Sequence, residues 1–337
     1  MSLEKDIITL GMFIVDEFEY RHLNGELDTS KQTSSQIGGG GTYAIIGSRM
    51  WTEPTKLGQI VDTGSDFDKE TENTLESYEH DKSNRMFILR ADPNKATTRA
   101  VNKYTGQRRE FEYLTPRNRL NLSDYHQMKL HKSPKYIHSV CSPVRQTDII
   151  KEAKTLNWNV KYIYEPLPEA MIPTNSQKLR ETIEEADENL FLSPNHTEAA
   201  EMFGLDEPNT LEKCEELTKK IHNEIHAKNV ILRCGKLGSY ISIPGMAFWV
   251  EALHIHNQEK VFDVTGAGNA FLGGFTGGLN KYNGDIRKAA ICGTISAGYT
   301  IEKDGLPIVK LVNGQECWNG RDHTPEEELA NFVNKQK

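Results

Sequence analysis

From Tyr136 to Cys234 short apolar runs alternate with amphipathic stretches, and this alternation restricts the fold more than any other feature of the chain. Tyr136 to Val140, Val160 to Tyr164, Leu190 to Leu192 and Val230 to Cys234 are too short for buried helices and read as strands. Between them lie helical patterns. Gln146 to Leu156 carries Ile149, Ile150 and Ala153 on one side, Gln177 to Ala186 and Thr197 to Phe203 are shorter helices, and Thr210 to Ala227 aligns Leu211, Cys214, Leu217, Ile221 and Ile225 along one stripe. Strands separated by helices pair in parallel, because a parallel crossover needs a long connection. The expectation is an α/β fold with a mostly parallel central sheet and helices on both faces. Ligands of such sheets collect at the carboxyl ends of the strands.

The first half is less regular. Ile7 to Val15 has strand character and ends at Asp16, and residues 17–37 are polar and poorly periodic. Gly38-Gly39-Gly40-Gly41 leads into a helical run through Met50, Lys56 to Val61 is a strand, and Asp62 to His80 is helical in part. Thr97 to Tyr104 and Arg108 to Tyr113 alternate about a turn at Thr105-Gly106-Gln107, which predicts a β-hairpin. Thr324-Pro325-Glu326-Glu327 fits a capping box that starts a last helix, docked by Leu329, Phe332 and Val333.

Composition excludes several classes. A net charge of −8 argues against direct nucleic-acid binding, and Arg108-Arg109 and Lys219-Lys220 are too short to form a basic patch. No apolar run approaches about 18 residues, so no membrane span is expected. Cys141, Cys214, Cys234, Cys292 and Cys317 lie far apart, with no CxxC spacing and an odd total. Together with the lack of a signal pattern before the first strand, they predict a protein of a reducing compartment, the cytoplasm first and the nucleus left open. His222 and His226, and His254 and His256 on an expected strand, are read as solvated surface groups, and no direct metal ligand is assigned.

The run Asp263-Val264-Thr265-Gly266-Ala267-Gly268-Asn269-Ala270-Phe271 carries the chemistry. Two glycines let the backbone curl so that N–H groups converge, and a following helix adds its positive pole, which together suit a phosphate or a developing oxyanion. Phe271 stands where a dinucleotide fingerprint needs a third glycine, and no GxxxxGK[ST] occurs. A general base in the first helical turn would reach a substrate hydroxyl there, but the residue at that point, Asn269, has an amide that takes no proton near neutral pH.

The run resembles the second signature of the ribokinase or pfkB carbohydrate-kinase family, Asp-Thr-Gly-Ala-Gly-Asp in its usual form, in which the last Asp is the base. Gly38 to Ala44 resembles the first signature, Asp16 the family Asp that grips substrate hydroxyls, and Asn195-His196-Thr197-Glu198 the Asn-x-x-Glu element that organises magnesium and phosphates. Val230 to Tyr240 resembles the strand–Gly-x-x-Gly–strand bordering the nucleotide, with Gly235 and Gly238. Asn195 and Glu198 also read as a helix cap, and the 235–238 turn as a plain hairpin. The resemblance covers about residues 6–310. It implies a ribokinase-like α/β domain over 1–318 with a small β lid from about 13–37 and 95–115, and a helical tail over 319–337. It further implies ATP and Mg as cofactors, a small-molecule alcohol or nucleotide as ligand, and a homodimer through exposed lid strands.

Under the resemblance, Gly266, Ala267 and Gly268 would steady the transferring group beside Thr265. Asp16, Gly39, Gly40 and Tyr43 would hold the acceptor, while Asn195, Glu198, Gly235, Gly238 and Thr265 would meet the nucleotide and its magnesium. Two departures stand out. Asn269 replaces the base, whose loss costs about 10²–10⁴-fold. Tyr43 stands where ribokinase-like members place a sugar-binding Asn. One expectation is therefore a carbohydrate or nucleoside kinase with impaired or absent phosphotransfer. The alternatives are a non-catalytic nucleotide-binding or assembly protein with a protein partner, or a nucleotide sensor whose lid reports ligand. The segments Gly11 to Glu17 and Gly39 to Ala44 resemble a fungal branch of the family, a likeness that implies for the first alternative a link to double-stranded-RNA virus maintenance.

Overall fold

The computed structural model describes residues 4–30, 34–80, 83–105 and 108–335. In chain order the first half holds β1 (Ile7–Thr9), β2 (Ile14–Arg21), β3 (Ser34–Gly38), α1 (Gly40–Arg49), β4 (Leu57–Thr63), α2 (Lys69–Glu76), β5 (Phe87–Ala91), β6 (Arg99–Thr105), β7 (Arg108–Tyr113) and α3 (Leu122–Gln127). Then come β8 (Tyr136–Cys141), α4 (Pro143–Thr155), β9 (Lys161–Pro166), α5 (Ser176–Ala186), β10 (Leu190–Leu192), α6 (His196–Met202), α7 (Leu211–Lys220) and β11 (Asn229–Arg233). The chain closes with β12 (Ser239–Ile243), β13 (Met246–Val250), α8 (Ala267–Lys281), α9 (Ile286–Thr300), β14 (Val309–Val312), β15 (Gln315–Trp318) and α10 (Pro325–Lys335).

Among the described residues, one nine-stranded sheet runs in the order β13-β12-β11-β10-β9-β8-β1-β4-β5. It is parallel from β11 to β5, and β12 and β13 add an antiparallel edge. The alternation of side chains along each strand sorts the interior into two layers. Ile7, Leu57, Phe87, Tyr136, Ile163, Phe191 and Ile231 pack with residues of α1, α8, α9 and α10. Ile8, Ile60, Ile88, Ile137, Tyr162, Leu190 and Val230 pack with residues of α3, α4, α5, α6 and α7. Helices thus cover both faces. On the first face α1, α8 and α9 meet at backbone distance: a Cβ on Gly273 would stand 1.8 Å from the Ala44 carbonyl oxygen. Ser48 Oγ donates to the Gly273 carbonyl at 2.8 Å, and Trp51 Nε1 donates to Ser296 Oγ at 2.9 Å.

A second sheet, β3-β2-β6-β7, forms the lid layer, with β2 parallel to β6 and the other pairs antiparallel. Here the sequence reading needs correction. Ile7 to Val15 is not one strand. β1 ends at Thr9, the chain crosses the start of α1 at Gly11, and β2 begins the lid at Ile14. Asp16 therefore lies inside β2, opposite Gln36 and Ala100, rather than at a strand end. Part of the segment read as aperiodic, 17–37, is strand. Its outer half pairs over a half-exposed surface and so lacks an apolar alternation. The turn expected at 105–107 reaches outside the described residues, since 106 and 107 are not among them.

Three other differences are local. The long helix after Thr210 runs to Lys220 and then widens into a π turn over Ile221–Ile225, ended by His226 in the left-handed region at φ 63°. His254 and His256 sit in a turn, not a strand. His222 is not simply solvated: its ring nitrogens lie 2.5 Å from the Ala227 carbonyl and 2.8 Å from Ser242 Oγ, tying the π turn to β12. The last helix begins as its cap predicts, with Glu327 N–H donating to Thr324 Oγ1 and Thr324 N–H donating to Glu327 Oε2.

Candidate active site

The turn at 263–266 builds the head of α8. Thr265 N–H and Oγ1–H both donate to Asp263 Oδ1, at 3.0 and 2.9 Å, and Ala267 N–H donates to the Val264 carbonyl at 3.2 Å. Gly266 then takes φ 75°, ψ −4°, the left-handed conformation a side chain resists. The ring of Tyr43 lies flat beneath it, so that a Cβ on Gly266 would fall 2.3–2.4 Å from three ring carbons. The Ala267 N–H closes the turn itself, because the tight curl brings it onto Val264. The first-turn N–H groups of Gly268 and Asn269 have no intrahelical acceptor, by the geometry of any helix start.

Beside this head the strand ends of β9 and β11 supply a charged cluster. Asn269 Nδ2–H donates to Glu165 Oε2 at 2.6 Å. Arg233 Nη1 pairs with Glu165 Oε1 at 2.8 Å, and its Nη2 lies 3.9 Å from Glu198 Oε2 and donates to the Ser193 carbonyl at 3.0 Å. His138 Nε2 stands 3.9 Å from Glu165 Oε2. A Cβ on Gly268 would meet Arg233 Nη1 at 2.1 Å, so the guanidinium lies directly against the head of α8. Burial opposes ionisation of Glu165, yet Arg233 and His138 hold its carboxyl below the usual range. Burial wins at Glu198, whose carboxyl is raised although Arg233 pulls the other way.

Asn195 and Glu198 make the reciprocal cap of α6. Glu198 N–H donates to Asn195 Oδ1 at 2.8 Å and Asn195 N–H to Glu198 Oε2 at 2.9 Å. Gly235 and Gly238 close the β11–β12 connection, where Cys234 N–H donates to the Gly238 carbonyl at 2.8 Å. These glycines line a cavity of about 230 Å³ together with Arg233, Ala267, Gly268, Phe271 and Gly298. On the other side of Asn269, Gly40 and Gly41 line a second cavity of about 110 Å³, next to Val140, Ser142 and Leu167. Gly40 ties this cavity to the base position: a Cβ there would stand 3.0 Å from Asn269 Nδ2.

Asp16 is buried against Gly38, whose Cβ would come within 1.8 Å of Asp16 Oδ2. Gly39 is the residue before α1 and holds φ 91°. Burial, with the nearby carboxylates of Asp16, Asp263 and Asp304, pushes the Tyr43 phenol far above its ordinary range, so it stays protonated. The turn, Asn269, Asn195, Glu198 and the glycine hairpin thus gather about Arg233. Tyr43 acts from below as the floor of the turn.

Sequence reasoning passed over Arg233, Glu165 and His138. The first two carry a readable signal, since each is a charge at the end of an otherwise apolar strand. His138 lies inside β8, paired at 2.9 Å with Thr9 Oγ1, and nothing in the local pattern marks it.

A family model described as pfkB family carbohydrate kinase matches residues 6–309. Protein MAK32 of Saccharomyces cerevisiae is 33% identical over 338 residues, covering 93% of this chain and 88% of that protein. An uncharacterized protein of Schizosaccharomyces pombe is 31% identical over 345 residues, covering 95% and 91%. Among solved structures, the Arabidopsis thaliana ribokinase complexed with ribose and ATP aligns with a TM-score of 0.65 at 16% identity, over 90% of this chain and 94% of that one. The Giardia lamblia ribokinase aligns with a TM-score of 0.68 at 18% identity over all of both chains. These likenesses show the ribokinase-like fold, and the chain belongs to the pfkB family of carbohydrate kinases.

Proposed function

We propose that this protein binds ATP in the crevice at the head of α8 and transfers its terminal phosphoryl group to a small-molecule alcohol slowly. The observation that carries the reading is the contact between Asn269 and Glu165. At the first turn of α8 an amide points its N–H₂ at a carboxylate, so the base position is a donor already in use. The adenine would enter the 230 Å³ cavity between the glycine hairpin and Gly298, with the phosphates toward Gly268 and Arg233. The acceptor would approach from the Gly40 side, with Asp16 beside Gly38 and Tyr43 beneath Gly266 as the nearby polar side chains.

The chain retains the electrostatic half of phosphoryl-transfer catalysis, in convergent N–H groups and a guanidinium. At position 269 it offers an amide, which takes no proton near neutral pH. Magnesium would arrive with the nucleotide and neutralise phosphate charge, and Glu198 is the carboxylate placed to meet its hydration shell. A second reading, binding without turnover, is favoured by the Arg233–Glu165 pair. It lies across the turn and neutralises internally the cation a phosphate would use.

Restoring the base also requires removing a charge. Asn269→Asp alone would set a carboxylate at 2.6 Å from Glu165, and one of the two would have to stay protonated. Asn269→Asp with Glu165→Gln frees the new carboxylate. In a coupled ADP-release assay across sugars, nucleosides and sugar phosphates, the double variant is expected to exceed wild type by about 10²-fold or more. Wild-type turnover within the ordinary kinase range, about 1–100 s⁻¹, would overturn the impaired reading.

A further inference from the structure

The cavity on the acceptor side carries a charge pattern that alcohol binding does not need. Three guanidiniums, those of Arg117, Arg119 and Arg145, line its wall in a protein whose net charge is −8. Two come from the segment after β7 and one from the first turn of α4, so the lid layer and the main sheet both contribute. Their neighbours are neutral. Arg145 Nη2 donates to the Leu120 carbonyl and to Asn121 Oδ1, both at 2.5 Å, and Arg117 lies over the Tyr113 ring at 5.0 Å. Among the described residues, no carboxylate comes within ion-pair distance of any of the three. Asp16 and Glu169 act on Tyr113, and Asp148 acts on Cys141, as the opposing charges of this region.

The cations act on common points. Arg145 and Arg119 both favour the Cys141 thiolate, though burial dominates and pushes that thiol up to about 12. Arg117 and Arg119 both act on the Tyr113 phenol, which burial raises. At the opposite end the cavity reaches Gly40, beside the base position. Leu10, Met12 and Leu167 make the wall between apolar.

We propose that the acceptor is a phosphorylated sugar or polyol, its phosphomonoester held by Arg117, Arg119 and Arg145 while its hydroxyl points toward Asn269. The inference rests on the kinase reading for the direction of the hydroxyl and on the three arginines for the anion. Guanidiniums match phosphate oxygens by paired N–H donors, and three unneutralised ones suit a dianion better than a neutral sugar or a single carboxylate.

The test is titration calorimetry on the full chain and on Arg117→Gln/Arg119→Gln, with fructose 6-phosphate, ribose 5-phosphate, fructose, ribose, gluconate and, separately, ATP. Saturable binding of at least one sugar phosphate is expected, with neither neutral sugar bound at the same concentration. The double variant is expected to weaken that sugar phosphate by about tenfold or more while ATP affinity holds, the scale of a lost charge-assisted hydrogen bond. Binding of a neutral sugar or of gluconate as tightly as the sugar phosphates would overturn the proposal. So would an unchanged affinity in the variant, or no sugar-phosphate binding at millimolar concentration. Sugar-phosphate binding without ATP binding would instead defeat the kinase reading and leave the anion site standing.

Discussion

Arg233 and Glu165, each with a side chain 11% exposed, face one another across the floor of the crevice. Two ions this deep are expensive to desolvate, and the pair persists because each has further partners. Glu165 accepts from Asn269, and Arg233 donates to the Ser193 carbonyl. Removing one partner strands the other. Arg233→Met is therefore expected to destabilise the fold by about 3–5 kcal/mol, and Arg233→Met with Glu165→Gln to recover most of that loss. Denaturant unfolding of the wild type and both variants checks this, and a loss under about 1 kcal/mol in the single variant would show that the pair is solvated. At this scale the sequence disclosed half of the cluster. Asn269 was conspicuous because its neighbours form a motif that calls for a carboxylate. Glu165 and Arg233 belong to strands about 70 residues apart, and only the parallel pairing of β9, β10 and β11 brings them together.

Elements with a strong period were readable and elements defined by pairing were not. α4, α5 and α7 bury one stripe each, and their patterns show it. β10 and β11 are buried on both sides and read as continuous apolar runs. β2 starts buried and becomes half-exposed as it leaves the core, and β14 lies largely at the surface, so neither carries a clear alternation. The glycines of α8 announced close packing, and α8 meets α1 and α9 through them. Gly273→Ala is predicted to cost about 1–3 kcal/mol or more, since its Cβ would press 1.8 Å from the Ala44 carbonyl oxygen and force the helices apart. Thermal unfolding of this variant would show a lowered midpoint. An unchanged or raised midpoint would mean that α1 and α8 yield without loss.

For the molecule as a whole, the crevice is a property of the sheet. β9 and β11 deliver Glu165 and Arg233 to the head of α8. The α/β class was therefore legible from the alternation, and the turn from its own glycine run at 263–271. From local pattern the second sheet was legible only as a hairpin, and it was the resemblance that put 13–37 beside it, because nothing in the local pattern announces where β1 gives way to β2. The account requires that the turn at 265–269, faced by Arg233, receives the phosphates of a nucleotide. Titration calorimetry of ATP with magnesium into the wild type and into Arg233→Met/Glu165→Gln, whose pair is removed together, tests this directly. The account predicts one saturable ATP per chain, weakened about tenfold or more in the variant, the scale of a charge-assisted hydrogen bond to phosphate. No saturable binding at millimolar ATP, or the same affinity in both proteins, would contradict it.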